Sequence, residues 1–205
     1  MIKIGIIDYG RGNIRSVEKA LKEIGDKTVL MSRPADIKAS DAIILPGVGA
    51  FKDCIESLRR LNLIDALYDI FESRVPFLGI CLGMQILFSK SYEFGEHRGL
   101  GVIKGEVIKF KADVKVPHMG WNEVNKIKDS PLLKHIPPDT YFYFDHSYYV
   151  LPDEKVAIAT TPYNRNFCSV IQKDNIFATQ FHPEKSQKWG LQVLKNFYNF
   201  CRERC

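Results

Sequence analysis

At 205 residues the chain is long enough for one sizeable α/β domain and does not require two, so residues 1–205 are read as a single domain. Its 45% apolar and 26% charged residues exclude the disordered and fibrous classes. The net charge of +5 comes from Lys and Arg spread along the chain with no aromatic and basic recognition motif, so no nucleic-acid partner is expected.

The start, MIKIGIIDYGRGN, meets Asp8 and Arg11 too early for a secretory signal, and no apolar run reaches the roughly 18 to 20 residues that span a bilayer. The expectation is a cytoplasmic protein with no membrane partner. The five cysteines, Cys54, Cys81, Cys168, Cys201 and Cys205, are odd in number and scattered, which fits a reducing compartment. Cys201 and Cys205 fall one helical turn apart, but nothing supplies the other ligands of a metal site, and no metal is expected.

KIGIID (3–8) reads as a buried strand, Gly10 and Gly12 as a turn, and residues 14–25 as a helix. The pattern returns with a strand over 42–45 that runs into Pro46 and Gly47, then a helix from Ala50 to Leu61. VPFLGI (75–80) is a third such strand, and LGMQILFSK (82–90) is expected to continue as a helix. Strands without polar alternation, separated by helices, predict a mostly parallel central sheet covered on both faces, with ligands beyond the carboxyl ends of its strands. After residue 105 the short runs GEVIKF, YFYF, VAIATT and NIFATQF predict added antiparallel strands. A last helix, from Gln187 to Cys201, presents Trp189, Val193, Phe197 and Phe200 or Cys201 as a core-facing stripe.

In FLGICLGMQILF, Cys81 stands between Gly79 and Gly83 at a strand-to-helix junction. Such a G-x-C-x-G turn has a mechanical reading: it raises a nucleophile on a sharp elbow, near the first free N–H groups of a helix, where a thiolate is favoured. The Leu82 N–H is then placed to donate to an oxyanion. A small buried hydrophobe is the other reading, and the motif alone does not choose between them. Of His97, His118, His135, His146 and His182, only His182 has an acid/base companion of the right kind. In QFHPEKS, Pro183 predicts an extended segment with His182 and Glu184 two apart on one face, where Glu184 can orient the imidazole; standing alone, HPE would read as a loop histidine beside a surface glutamate. LPGVGAF (45–51) supplies a glycine-bearing loop that can bring a backbone N–H near the same sulfur.

GICLGMQ with a distant HPE resembles the class I (triad) glutamine amidotransferase family over the whole chain. IDYGRGN, LPGVGAF, PHMGWN (117–122) and HSY (146–148) more narrowly resemble the glutaminase subunits of imidazole glycerol phosphate synthases. The resemblance implies hydrolysis of L-glutamine to glutamate and ammonia without a cofactor. The ammonia would pass through a tunnel to a (β/α)₈ cyclase subunit in a heterodimer of histidine biosynthesis. It implies Cys81 as nucleophile, His182 as acid and base, and Glu184 as its orienting carboxylate. Gln85, Glu93, Ser147 and Tyr148 would bind glutamine, and Gly49 and Leu82 would flank the oxyanion with Val48 close by. Trp121, Tyr143 and Lys185 would meet the cyclase, and the PGVG loop would reorganise when the partner is occupied. Two positions depart from the family pattern: Asp145 stands where an apolar residue is common, and Tyr149 where a basic one is frequent. The alternative is a paralogous glutaminase that feeds ammonia to a sugar-aminating partner.

Overall fold

The computed structural model of the chain describes residues 2–25, 28–111 and 114–204. In chain order the first half runs β1 (Ile4–Ile7), α1 (Ile14–Glu23), β2 (Thr28–Met31), α2 (Pro34–Lys38), β3 (Ala42–Gly47), α3 (Phe51–Arg60), α4 (Leu63–Glu72), β4 (Phe77–Cys81) and α5 (Leu82–Gln85). Then come β5 (Phe88–Ser91), β6 (His97–Arg98), β7 (Ile103–Lys109), β8 (His118–Lys126), β9 (Thr140–His146), β10 (Tyr148–Pro152), β11 (Ala157–Tyr163), β12 (Arg165–Lys173), β13 (Ile176–Thr179) and α6 (Gln187–Arg202).

Nine strands form one sheet in the order β2-β1-β3-β4-β13-β12-β11-β8-β9. Pairing is parallel from β2 to β13 and antiparallel from β13 to β9. The parallel half is made by strands that are buried along their whole length, β1, β3, β4 and β13, as their unbroken apolar text requires. On one face Val17 and Leu21 of α1 pack with Val193, Leu194 and Phe197 of α6; on the other lie α3 and α4 with Leu58, Leu67 and Phe77. Each such fully buried side chain contributes roughly 1.5–3 kcal/mol, so either helix face is a major part of the fold's stability. A smaller sheet, β10-β7-β5-β6, stands beside the first.

Three elements of the sequence reading change. The helix expected over 82–90 is a single turn, because Leu100 N–H donates to Ile86 O at 2.7 Å and Ile103 N–H to Leu87 O at 3.0 Å, and the chain then joins β7 as β5. Those long-range bonds replace the i to i+4 bonds that a helix would need. Residues 183–185 are a 3₁₀ turn rather than extended, and α4, which follows Asn62 in a left-handed conformation, extends the helical layer past the expected end at Leu61. In α6 the stripe of Val193, Phe197 and Cys201 is fully buried, whereas Trp189 and Phe200 pack at its margin. Cys205, half of the tail pair, lies outside the described residues. No helix among the described residues is long and apolar enough to cross a membrane.

Candidate active site

Cys81 ends β4 with φ +54° and ψ −106°, a conformation that costs a residue with a side chain on the order of 1–3 kcal/mol. The strain is held because β4 is laddered to β3 on one side and to β13 on the other. Both flanking glycines are forced by close approach. A Cβ on Gly79 would sit 2.5 Å from the Gly83 carbonyl oxygen, and one on Gly83 would overlap the Leu45 carbonyl of β3. The elbow can fold flat against the sheet only with hydrogen at both positions.

Register pairs Gly47 with Cys81, which brings the PGVG loop alongside the sulfur, and Gly49 holds φ +97°. Gly49, Leu82, Gln85, Glu93, Ser147 and Tyr148 all line one cleft of about 170 Å³ that opens over Cys81, with Val48, Asp145 and His146 completing the wall. Because α5 is one turn long, what it can offer a ligand at Cys81 is the N–H groups of its first turn, Leu82's included, rather than a long macrodipole.

His182 and Glu184 are almost wholly buried beneath this cleft. The 3₁₀ turn still places them together: His182 Nδ1 donates to Glu184 Oε1 at 2.8 Å. Ser186 braces the turn by donating its hydroxyl to His182 O at 2.6 Å and accepting Tyr143 N–H at 3.0 Å. Burial opposes charge on the imidazole, but the Cys81 sulfur and then the Glu184 carboxylate outweigh it and push His182 up to about 10. His182 Nε2, the ring nitrogen not used by Glu184, is buried without a hydrogen-bond partner among the described residues, and Cys81 is the neighbour that most raises this imidazole. By contrast, burial pushes the thiols of Cys54 and Cys168 up to about 12, so they are poor nucleophiles.

Two residues that the sequence reading does not single out bond to these side chains. Asn13 donates from Nδ2 to Glu184 Oε1 at 3.3 Å and is itself aimed by the Ser16 hydroxyl, which donates to Asn13 Oδ1 at 2.7 Å. Gln180, fully buried, donates from Nε2 to Cys81 Sγ at 3.6 Å. Its signal was the two-residue spacing to His182, which puts both on one side of an extended chain. Glu93 does more than line the cleft: its Oε2 accepts the Phe51 N–H at the start of α3 at 2.5 Å, and burial raises its carboxyl above the usual range.

Behind the cleft two buried histidines form a chain with determined tautomers. The Tyr148 carbonyl can only accept, so His146 Nδ1 carries hydrogen at 2.8 Å, its Nε2 accepts from His118 Nδ1 at 3.1 Å, and His118 Nε2 accepts from Asn122 Nδ2 at 3.2 Å. Burial among Phe110, Phe144, Tyr163 and Phe167 lowers His118 to about 4 and His146 to about 3. Depressed histidines refuse protons that the unfolded chain accepts near pH 6.5, so their stabilisation is lost as pH falls from there toward the folded values. Between pH 6.5 and 5 the pair is expected to remove about 3 kcal/mol. The raised His182 has the opposite sign, its contribution being complete below 6.5 and lost through about 10, so it does not cause this loss. Urea unfolding at several pH values tests this. A His118→Phe, His146→Phe double variant should lose most of the acid slope, and an unchanged slope would discard the account.

On the outer face of the β8/β9 ribbon, Trp121 pairs in register with Tyr143, their rings edge to face at 6.2 Å, and Lys185 Nζ lies 5.4 Å from the Tyr143 ring. Trp121 is 46% exposed, and Met119 and Tyr141 of the same face are more so, which is unusual for such large apolar side chains. The patch adjoins His182 directly, since His182 N–H donates to Tyr143 O at 2.9 Å.

The profile of the family described as glutamine amidotransferase class-I matches residues 5–200. This chain belongs to that family. It is 55% identical over 194 residues to the imidazole glycerol phosphate synthase subunit HisH of Methanocaldococcus jannaschii, across 95% of this chain and 97% of the relative. It is 50% identical over 194 residues to the protein of the same name from Aquifex aeolicus, across 94% of each. The fold agrees with that of PurLQS from Thermotoga maritima at a TM-score of 0.77, with 18% identity over 98% of this chain and 99% of the other. Membership of that family makes the chain a glutamine-hydrolysing enzyme.

Proposed function

We propose that this chain is the glutaminase subunit of an imidazole glycerol phosphate synthase in histidine biosynthesis, with Cys81, His182 and Glu184 as its catalytic triad. The observation that carries the reading is the buried Cys81, His182 and Glu184 array under a cleft whose wall also bears the elbow and the PGVG loop. Relatives named as HisH over nearly their full length favour it over the sugar-aminating paralogue.

The Cys81 thiolate attacks the side-chain carboxamide carbon of L-glutamine while His182 holds the proton. The oxyanion that forms is held by backbone N–H groups at Leu82 and Gly49. His182 passes its proton to the departing ammonia and leaves a glutamyl thioester on Cys81. It then takes a proton from water, which attacks the thioester and releases glutamate. Gln85 commits both N–H bonds, to Tyr148 O at 2.9 Å and Gln180 Oε1 at 3.1 Å, so the atom it offers glutamine is Oε1, an acceptor. Glu93 receives the substrate ammonium, and Ser147 and Tyr148 meet the same end of the amino acid. No cofactor is needed.

Trp121, Tyr143 and Lys185 form the docking face for a (β/α)₈ cyclase in a cytoplasmic heterodimer. The contact sits one hydrogen bond from His182, a short path for ammonia and for control of the site. A peptide flip beside Gly49 is inexpensive, so the oxyanion loop is a suitable element for the occupied partner to bias, which would spare glutamine when no acceptor is bound. The test is glutamate release by the chain alone and with the cyclase and its nucleotide ligand. A strong rise with both present is expected; turnover indifferent to them would refute the assignment.

A further inference from the structure

Hydrogen-bond partners fix the orientation of two buried side-chain amides, Gln85 and Gln180. The oxygen and nitrogen of a side-chain amide are told apart only by their partners. The Tyr148 carbonyl accepts from Gln85 at 2.9 Å, so the Gln85 atom facing it is Nε2. The second hydrogen of that nitrogen points at Gln180 at 3.1 Å, so the Gln180 atom there is Oε1. Gln180 therefore turns Nε2, a donor, toward the Cys81 sulfur at 3.6 Å. His146 Nδ1 also donates to the Tyr148 carbonyl, at 2.8 Å, which anchors the relay at its far end.

We propose that Gln180 is a further catalytic residue, which favours the Cys81 thiolate through an N–H···S hydrogen bond whose direction is locked by Gln85 and the Tyr148 carbonyl. The proposal rests on Cys81 being the nucleophile of the glutaminase reading. Gln180 is fully buried, its backbone N–H is held by Ser169 O at 2.9 Å, and its side chain meets no solvent. A donor aimed at sulfur in such a place stabilises negative charge strongly and a neutral thiol weakly, because hydrogen bonds to charged groups are the stronger ones. The same bond ties the nucleophile to Gln85 on the glutamine cleft, so the substrate amide and the sulfur are positioned by one rigid unit.

The test uses the full chain and iodoacetamide, which reads the thiolate without requiring glutamine turnover, so its failure is separable from failure of the glutaminase assignment. Gln180→Glu keeps the shape and an acceptor for Gln85 but turns an oxygen toward the sulfur; Gln180→Met removes the polar contact altogether. In both, alkylation attributable to Cys81, after subtraction of a Cys81→Ala background, is expected to slow about 10- to 100-fold near neutral pH. In the cyclase complex kcat should fall by a similar factor with KM changed less than about threefold, whereas a merely structural role would leave the alkylation profile in place. Should neither variant fold, the wild-type chain still decides the matter. The Gln180 side-chain amide resonance is expected to titrate together with Cys81 alkylation, and an amide signal that ignores that titration, or superimposable alkylation profiles, would overturn the proposal.

Discussion

Cys81→Ala is expected to lower glutamate release by at least about 10⁴-fold in the cyclase complex while leaving the fold intact, since loss of a nucleophile removes the covalent route altogether. The informative companion is Glu184→Gln. Glu184 Oε1 accepts from both His182 Nδ1 and Asn13 Nδ2, and a glutamine oxygen in the same place accepts from both as well. Geometry is thus kept and only the negative charge is lost. A neutral amide stabilises the imidazolium less, so kcat should fall by about 10²- to 10⁴-fold. His182 should also give up its proton well below the wild-type value of about 10, because one of the two groups that raise it is gone. Imidazole titration by NMR reads the second effect. Full activity in Glu184→Gln, or an unmoved titration, would show that Glu184 acts only as a spacer.

Gly83→Ala is expected to destabilise the chain by about 4 kcal/mol or more, a large share of the roughly 5–15 kcal/mol typical of a domain. The added methyl would overlap the Leu45 carbonyl oxygen, and that oxygen belongs to β3, which is laddered to β1 and β4 and has nowhere to move. Gly101→Ala is the contrasting control. Gly101, unlike Gly83, has positive φ, +64°, and nothing lies within 4 Å of its added Cβ, so it carries a backbone cost of about 1–2 kcal/mol and no overlap. Urea unfolding of the two variants decides it: equal losses would mean that the elbow has slack and that Gly83 is not placed by packing.

The parallel half of the sheet was legible because β1, β3 and β4 are buried on both faces and their sequences are continuous apolar runs ended by turn residues. The expected helix over 82–90 failed for a matching reason. Residues 86 to 88 are apolar in any conformation, and only contacts with residues about fifteen positions away decided that they leave the helix for β5. The pairing of His182 with Glu184 was foreseen on the wrong backbone: an extended segment and a braced 3₁₀ turn both bring the two side chains together.

The local chemistry and the elements of unambiguous period are therefore readable along the chain: the elbow glycines around Cys81, the HPE segment, the glycine loop at 45–51 and the buried strands. These are consequences of residue type and short spacing, and short spacing needs no knowledge of the fold. It takes the folded sheet to show that Asn13 steadies Glu184 across 171 positions of sequence, that Gln180 turns its donor to a sulfur 99 positions away, and that His118 and His146 share one proton between facing nitrogens. A hydrogen bond of that kind depends on distance and direction in space, and neither quantity is written in a linear chain until the sheet has brought its strands into register.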